Sequence, residues 1–270
     1  MSLLSALSPL LLLAAGAAGA VPCHPIPCWE HVLADDRTRW IVIGEMHGTS
    51  ETPALFADAV CLTARSRPVV VALEFPGAEQ PAIDAFLDSD GGEQARRAFL
   101  AAPMWNPPMK DGRSSEAVFR LFETLRQMRA AGQIASVVAF QAARFEAGQF
   151  SQEGSEKAMA QLVLAGTPAG STVLVLTGNI HARRTAVPWE PRYLPMAAHL
   201  PAEATVALDA RGEGGEAWGC HSRDDCGPKP QGRYPGSHER GVVLESVGEG
   251  AYSGALHLGA ATTASPPQNR

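Results

Sequence analysis

Two stretches of the chain share one four-residue pattern: Gly44-Glu45-Met46-His47 and Gly178-Asn179-Ile180-His181. Between them in sequence, the apolar run Val69 to Leu73 ends abruptly in Glu74. Imidazole has a proton affinity close to neutrality, so a pair of histidines can take and return protons under ordinary conditions. A carboxylate at the end of an apolar run needs donors, a cation or a metal, because burying it alone is costly. Two imidazoles brought together with carboxylates suit hydrolysis in two ways. A divalent metal held by His47, His181 and Glu74 or Glu45 would acidify a bound water. Without a metal, a histidine oriented by a glutamate draws the proton from water directly. The residues alone leave both routes open.

These side chains meet only if the elements carrying them end at one rim. Continuous apolar runs over Trp40 to Ile43, Val69 to Leu73, Ala135 to Phe140 and Thr172 to Leu176 read as buried parallel strands. Helical spacing of apolar residues lies between them, over Pro53 to Arg65, Ser115 to Ala131 and Ser155 to Leu164. Gly132 stands where a C-terminal cap would close the second of these. The alternation predicts one α/β domain, a mainly parallel sheet with helices on both faces and right-handed crossovers. In such sheets ligands bind outside the carboxyl ends of the strands, which is where Glu45, His47, Glu74 and His181 fall. Further strands are expected over Thr205 to Leu208 and Gly241 to Leu244.

Three residues are secondary candidates for substrate contact. Glu51 opens the helix after His47, where a carboxylate also suits the helix N-terminus. Asn179 lies inside the second strand-end pattern. Arg113, in Asp111-Gly112-Arg113-Ser114-Ser115, offers a clamp for a carbonyl or carboxylate, with Ser114 or Ser115 capping the helix that follows. His199, His221, His238 and His257 lie outside the pattern and read as structural or surface residues. Neither Gly-x-Ser-x-Gly nor His-Glu-x-x-His occurs, which argues against a serine nucleophile elbow and an ordinary zincin.

The order Gly44-Glu45-Met46-His47-Gly48-Thr49-Ser50-Glu51, then Glu74, then Gly178-Asn179-Ile180-His181 resembles the ChaN/Tiki/erythromycin-esterase superfamily, over roughly Trp40 to Arg184. The resemblance implies a hydrolase acting on an ester or amide bond of a small molecule or peptide. Its Tiki-type members favour a metal at His47, Glu74 and His181; its esterases favour the metal-free route. Its ChaN-type members imply the alternative, a haem- or metal-binding protein without catalysis. No separate haem-ligand signature such as Cys-x-x-Cys-His accompanies it.

Composition narrows the setting. Of 270 residues, 46% are hydrophobic and 19% charged, ordinary for a globular chain, and the formal net charge is −6. No basic cluster offers a footprint for nucleic acid. Residues Leu3 to Ala20 are almost wholly apolar and end in Ala18-Gly19-Ala20, as a signal peptide cleaved before Val21 would, although no Lys or Arg precedes the apolar run. The competing reading is an uncleaved anchor, for which the run is short. The expected organisation is a signal peptide over 1–20, a single domain over 21–258 and a disordered tail over 259–270. A Gly- and Pro-rich loop around 211–240 is expected to be tied by a Cys220–Cys226 disulfide. Close cysteines fit an oxidising compartment, periplasmic or secreted, with no stable membrane insertion after cleavage. Cys23, Cys28 and Cys61 leave their pairing open.

Overall fold

The computed structural model describes residues 19–141, 151–233 and 238–269; the expected signal peptide lies almost entirely outside them. In chain order the elements are α1 (Trp29–Val32), β1 (Trp40–Glu45), α2 (Glu51–Ala64), β2 (Val69–Pro76), α3 (Gln80–Leu87), α4 (Glu93–Leu100), α5 (Glu116–Ala130) and β3 (Ser136–Gln141). They continue with α6 (Gln152–Ala165), β4 (Thr172–Gly178), β5 (Thr205–Arg211), β6 (Glu213–Ser222), β7 (Asp225–Arg233), β8 (Gly241–Val243) and β9 (Gly254–His257). Short 3-10 turns occur at Gly77–Glu79 and Met196–His199, among other places.

Seven strands form one sheet in the order β3-β2-β4-β1-β5-β9-β8, parallel except for β8, which runs against β9. The four apolar runs are β3, β2, β4 and β1, which fill the sheet from its β3 edge to its middle. Alternate residues of each feed two cores: Ile41, Ile43, Val71, Leu73, Leu174 and Leu176 join the layer under α2, α3 and α5. Trp40, Val42, Val70, Ala72, Val173 and Val175 join the layer with Met159, Ala160 and Val163 of α6. A strand buried on both faces has no polar alternation, which is why these runs are continuously apolar. The α/β class and parallel sheet with helices on both faces are as the sequence predicts. Helix α5 buries Val118, Leu121, Phe122, Leu125 and Met128. It stops as expected: Gly132, at φ 70, lets Gln133 N–H reach the Met128 carbonyl at 2.8 Å and Gly132 N–H the Arg129 carbonyl at 3.0 Å.

The chain's last third departs from expectation. The stretch around 211–240 is largely an antiparallel hairpin, β6 paired with β7, joined across by Cys220–Cys226. Pro228 and Pro230 hid β7 in the sequence, but a two-stranded ribbon has only edges, where a missing N–H costs little. Residues 259–269 are not a disordered tail. Ser50 N–H bonds the Thr263 carbonyl at 2.9 Å, Ser265 N–H the Gly48 carbonyl at 2.8 Å and Glu116 N–H the Pro266 carbonyl at 2.9 Å. The Ser265 hydroxyl accepts Ala117 N–H at 3.0 Å. The first turns of α2 and α5 leave N–H groups without intrahelical partners, and this strap satisfies several of them. Composition alone could not disclose that exchange.

Among the described residues no helix is long and apolar enough to cross a membrane. Cys23 pairs with Cys61, and Cys28 is free and exposed.

Candidate functional site

Strand order builds the site. Because β4 lies between β2 and β1, and Glu45 is in register with Gly178, both Gly-x-x-His turns leave adjacent strands at one rim, beside the end of β2 that carries Glu74. Both glycines are required by close approach. A Cβ on Gly44 would lie 2.7 Å from the Ala182 Cβ, so the second turn could not pack over the first. A Cβ on Gly178 would lie 3.2 Å from His47 Nε2 and 3.5 Å from His181 Cδ2. Gly178 is therefore the floor of the space between the imidazoles, and its bare Cα keeps that space open.

Each imidazole is held from behind by a carboxylate. His47 Nδ1 lies 3.0 Å from Glu45 Oε1. His181 Nδ1 lies 2.9 Å from both oxygens of Glu156. An ionised carboxylate only accepts, so each Nδ1 carries the proton and each Nε2 is the face turned to the site. Both Nε2 atoms converge on Glu74, His47 at 3.7 Å from Oε2 and His181 at 3.8 Å from Oε1. The histidines are 21% and 23% exposed, whereas Glu45, Glu74 and Glu156 are 5%, 6% and 0%. The reacting faces are open and the groups that aim them are buried.

Glu74 is held as an anion. Its Oε2 accepts the Thr177 hydroxyl at 2.6 Å and the Gly178 N–H at 2.8 Å, and its Oε1 accepts Arg113 Nη1 at 3.2 Å. Burial acts to raise its pKa, but His47, His181, Arg113 and Thr177 together bring the carboxyl down to about 2. Burial likewise opposes charge on His47, yet the field of Glu74 and the bond to Glu45 prevail and raise its pKa. For His181 burial again opposes charge, and Glu156 followed by Glu74 raises the pKa. Each oxygen-to-Nε2 distance sets two acceptors face to face unless the imidazole is protonated, which is the same preference seen from the geometry.

Arg113 does reach the site. It spans Glu74 and Asp111, with Nη2 at 2.6 Å from Asp111 Oδ2. Glu51 does not: its carboxylate accepts the Thr263 N–H at 3.0 Å and hydroxyl at 2.6 Å, tying the C-terminal strap to α2. Asn179 lines a separate cavity of about 250 Å³ with Met46, Thr49 and Gln231, and its backbone N–H bonds the Glu45 carbonyl at 2.8 Å. His47, Glu74 and Arg113 also line a small void of about 20 Å³. The larger cleft, about 960 Å³, is bounded by Glu74, Arg113 and His181 at the chemistry and by Phe75, Met104, Pro107 and Met159 beyond it.

Sequence reading missed Glu156. The residue sits in the first turns of α6 and also accepts the Tyr193 hydroxyl at 2.7 Å and the Met196 N–H at 2.8 Å. The one signal for it is a glutamate at a buried position of an amphipathic helix, with Met159, Ala160 and Val163 on the same side. The expected metal trio of His47, Glu74 and His181 fares less well. Two neutral donors already occupy Glu74 Oε2, and a guanidinium bonds Oε1, so a divalent ion there would sit against Arg113. Among the described residues no group of three His, Cys, Asp or Glu side chains is placed to hold a metal ion.

No family model matches the sequence, and no curated protein matches it significantly. Solved structures do resemble it. A protein from Bacillus cereus aligns over 89% of this chain and 94% of its own, at 9% identity and a TM-score of 0.53. An erythromycin esterase in its open conformation aligns over 73% of this chain and 76% of its own, at 12% identity and a TM-score of 0.45. The haem-binding ChaN of Campylobacter jejuni aligns over 75% of this chain and 92% of its own, at 14% identity and a TM-score of 0.43. Identities this low speak to fold and not to activity. The chain shares its α/β fold with the Bacillus cereus protein, and the likeness reaches no further than the fold.

Proposed function

We propose that this protein hydrolyses an ester or amide bond with two carboxylate-oriented imidazoles working as a metal-free acid–base pair. The observation that carries the reading is the matched geometry: each Nδ1 tied to a glutamate, each Nε2 turned to the shared space beside Glu74. Glu74, held anionic, favours positive charge between the two rings, while the rings repel each other, so their protons leave in two steps. In the intermediate state one imidazole is neutral and the other protonated. The neutral Nε2 takes a proton from water as its oxygen attacks the carbonyl carbon. The imidazolium returns a proton to the leaving alkoxide or amine as the carbon–heteroatom bond breaks. Arg113, already aligned by Asp111 and Glu74, stands beside the reacting groups to stabilise negative charge on the carbonyl oxygen.

A panel of esters and amides, assayed with and without a chelator, tests this reading. Hydrolysis should survive chelation and fall by about 10²–10⁴ in His47→Gln and in His181→Gln. Activity lost on chelation and restored by a divalent metal would overturn the metal-free mechanism.

Haem capture without catalysis is the second reading, favoured by His181 on the wall of a largely apolar cleft. Haem brings two propionates, and the cation among the described cleft residues is Arg113, already paired with Asp111 and Glu74. Titration with haemin should accordingly leave the Soret band unshifted. The two disulfides support export to an oxidising compartment, with cleavage before Val21. Val21, the first residue after the proposed cleavage, is anchored by its backbone N to Gln133 Oε1 at 2.7 Å.

A further inference from the structure

Glu79 has no part in the chemistry above. It ends the 3-10 turn Gly77–Glu79 that follows β2, and it lines the same cleft of about 960 Å³ as Glu74 and His181. The residue is only 7% exposed. Its carboxyl takes a hydrogen bond from the Met104 backbone, and among the described residues no ion pair involves it. Burial pushes that carboxyl upward. Among the described residues, the charged and titratable groups that share the cleft are Glu74, Asp111, Arg113 and His181, and Arg113 is already bound to the first two. The remaining wall is mostly apolar, with Phe75, Pro76, Met104, Pro107, Pro108 and Met159. A space of this size accommodates a drug-sized molecule.

A carboxylate set nearly buried in an apolar wall, with one neutral donor, is under-compensated. It gains most from a ligand that brings its own positive charge, since charge-assisted hydrogen bonds strengthen away from water. The excess of acid over base among the described residues of the wall also repels anions. We propose that Glu79 is a specificity-determining residue: the cleft accepts esters or amides with a bulky apolar body and a primary ammonium or guanidinium group, and Glu79 binds that cation. The inference rests on the hydrolytic reading for the bond broken, but the recognition it assigns is tested by binding alone.

The experiment is calorimetric titration of the purified protein with naphthylmethylammonium and with its neutral counterpart, naphthylmethanol. Wild-type protein should bind the ammonium roughly ten- to a hundred-fold more tightly than the alcohol. Glu79→Gln should erase that preference and leave the affinity for the alcohol unchanged. Equal affinities in wild type, no measurable binding of the ammonium, or a preference that survives Glu79→Gln would each overturn the assignment. The wild-type comparison stands whether or not the variant folds. No bond is cleaved in these titrations, so failure of the ester panel would strike the hydrolytic reading and leave the binding result intact.

Discussion

His47 and His181 present the same face to Glu74, yet they are held there by different means. His47 leans on a carboxylate two positions before it, on the strand end that launches its own turn. The loop beyond it is clamped from outside: the Gly48 carbonyl accepts N–H groups from Trp218 of the hairpin and Ser265 of the C-terminal strap, both at 2.8 Å. His181 leans on Glu156, delivered from a helix on the other side of the sheet, and that glutamate is itself gripped by Tyr193 and Met196. One support is local and braced by late-sequence elements; the other is remote and made of a single buried hub. An imidazole of fixed tautomer can be built either way, but the two arrangements should fail differently.

The largest effect expected is on turnover, where the two histidines should behave alike. His47→Gln and His181→Gln are each predicted to lower kcat by about 10³, some 4 kcal/mol, because each removes one member of an acid–base pair. Steady-state kinetics with the best ester of the panel checks this, and a residual rate tenfold higher in one variant would break the equivalence.

The supports should then separate. Glu156→Ala leaves the His181 Nδ1–H, the Tyr193 hydroxyl and the Met196 N–H without their acceptor in a buried place. A loss of about 3 kcal/mol in unfolding free energy is expected. Glu45→Ala withdraws one hydrogen bond, from His47, and should cost less, about 1 kcal/mol. Denaturant titration of the two variants compares them directly.

Sequence made one half of this site legible and hid the other for a physical reason. Glu45 and His47 both belong to the first strand-end motif, which marked them as candidates but left their pairing to the structure. Glu74 announces itself by ending an apolar strand. Glu156 lies on a helix whose pattern looks like any amphipathic surface, and only the loop bearing Tyr193 and Met196 covers it. The strap over 259–269 was illegible for the same cause: its order comes from N–H groups of α2 and α5, far away in sequence. The parallel sheet, by contrast, was plain, because burial on both faces leaves its mark within each strand.

Two pH effects sharpen the picture. Glu74, at about 2 in the fold against an ordinary 4.5, stabilises the protein fully above pH 4.5 and loses that contribution as pH falls toward 2. The contribution is about 3 kcal/mol, and Glu74→Gln should flatten this acid limb in pH-dependent unfolding. The histidines act with opposite sign. Raised in the fold, they stabilise below the ordinary value of 6.5 and lose that contribution as pH rises through their folded values. Catalysis, needing one neutral and one charged ring, should be bell-shaped, with its alkaline limb above pH 6.5. The smallest effect belongs to Tyr193→Phe, which deletes one bond to Glu156 and should cost about 0.5 kcal/mol.

The proposed hydrolysis depends on the paired orientation of the imidazoles, and nitrogen NMR of the histidine rings reads that orientation directly. His47 and His181, when neutral, should carry the proton on Nδ1, titrate as a coupled pair above the usual histidine range, and drop together in Glu74→Gln. Protons on Nε2, or two independent titrations near the ordinary value that ignore Glu74→Gln, would contradict it.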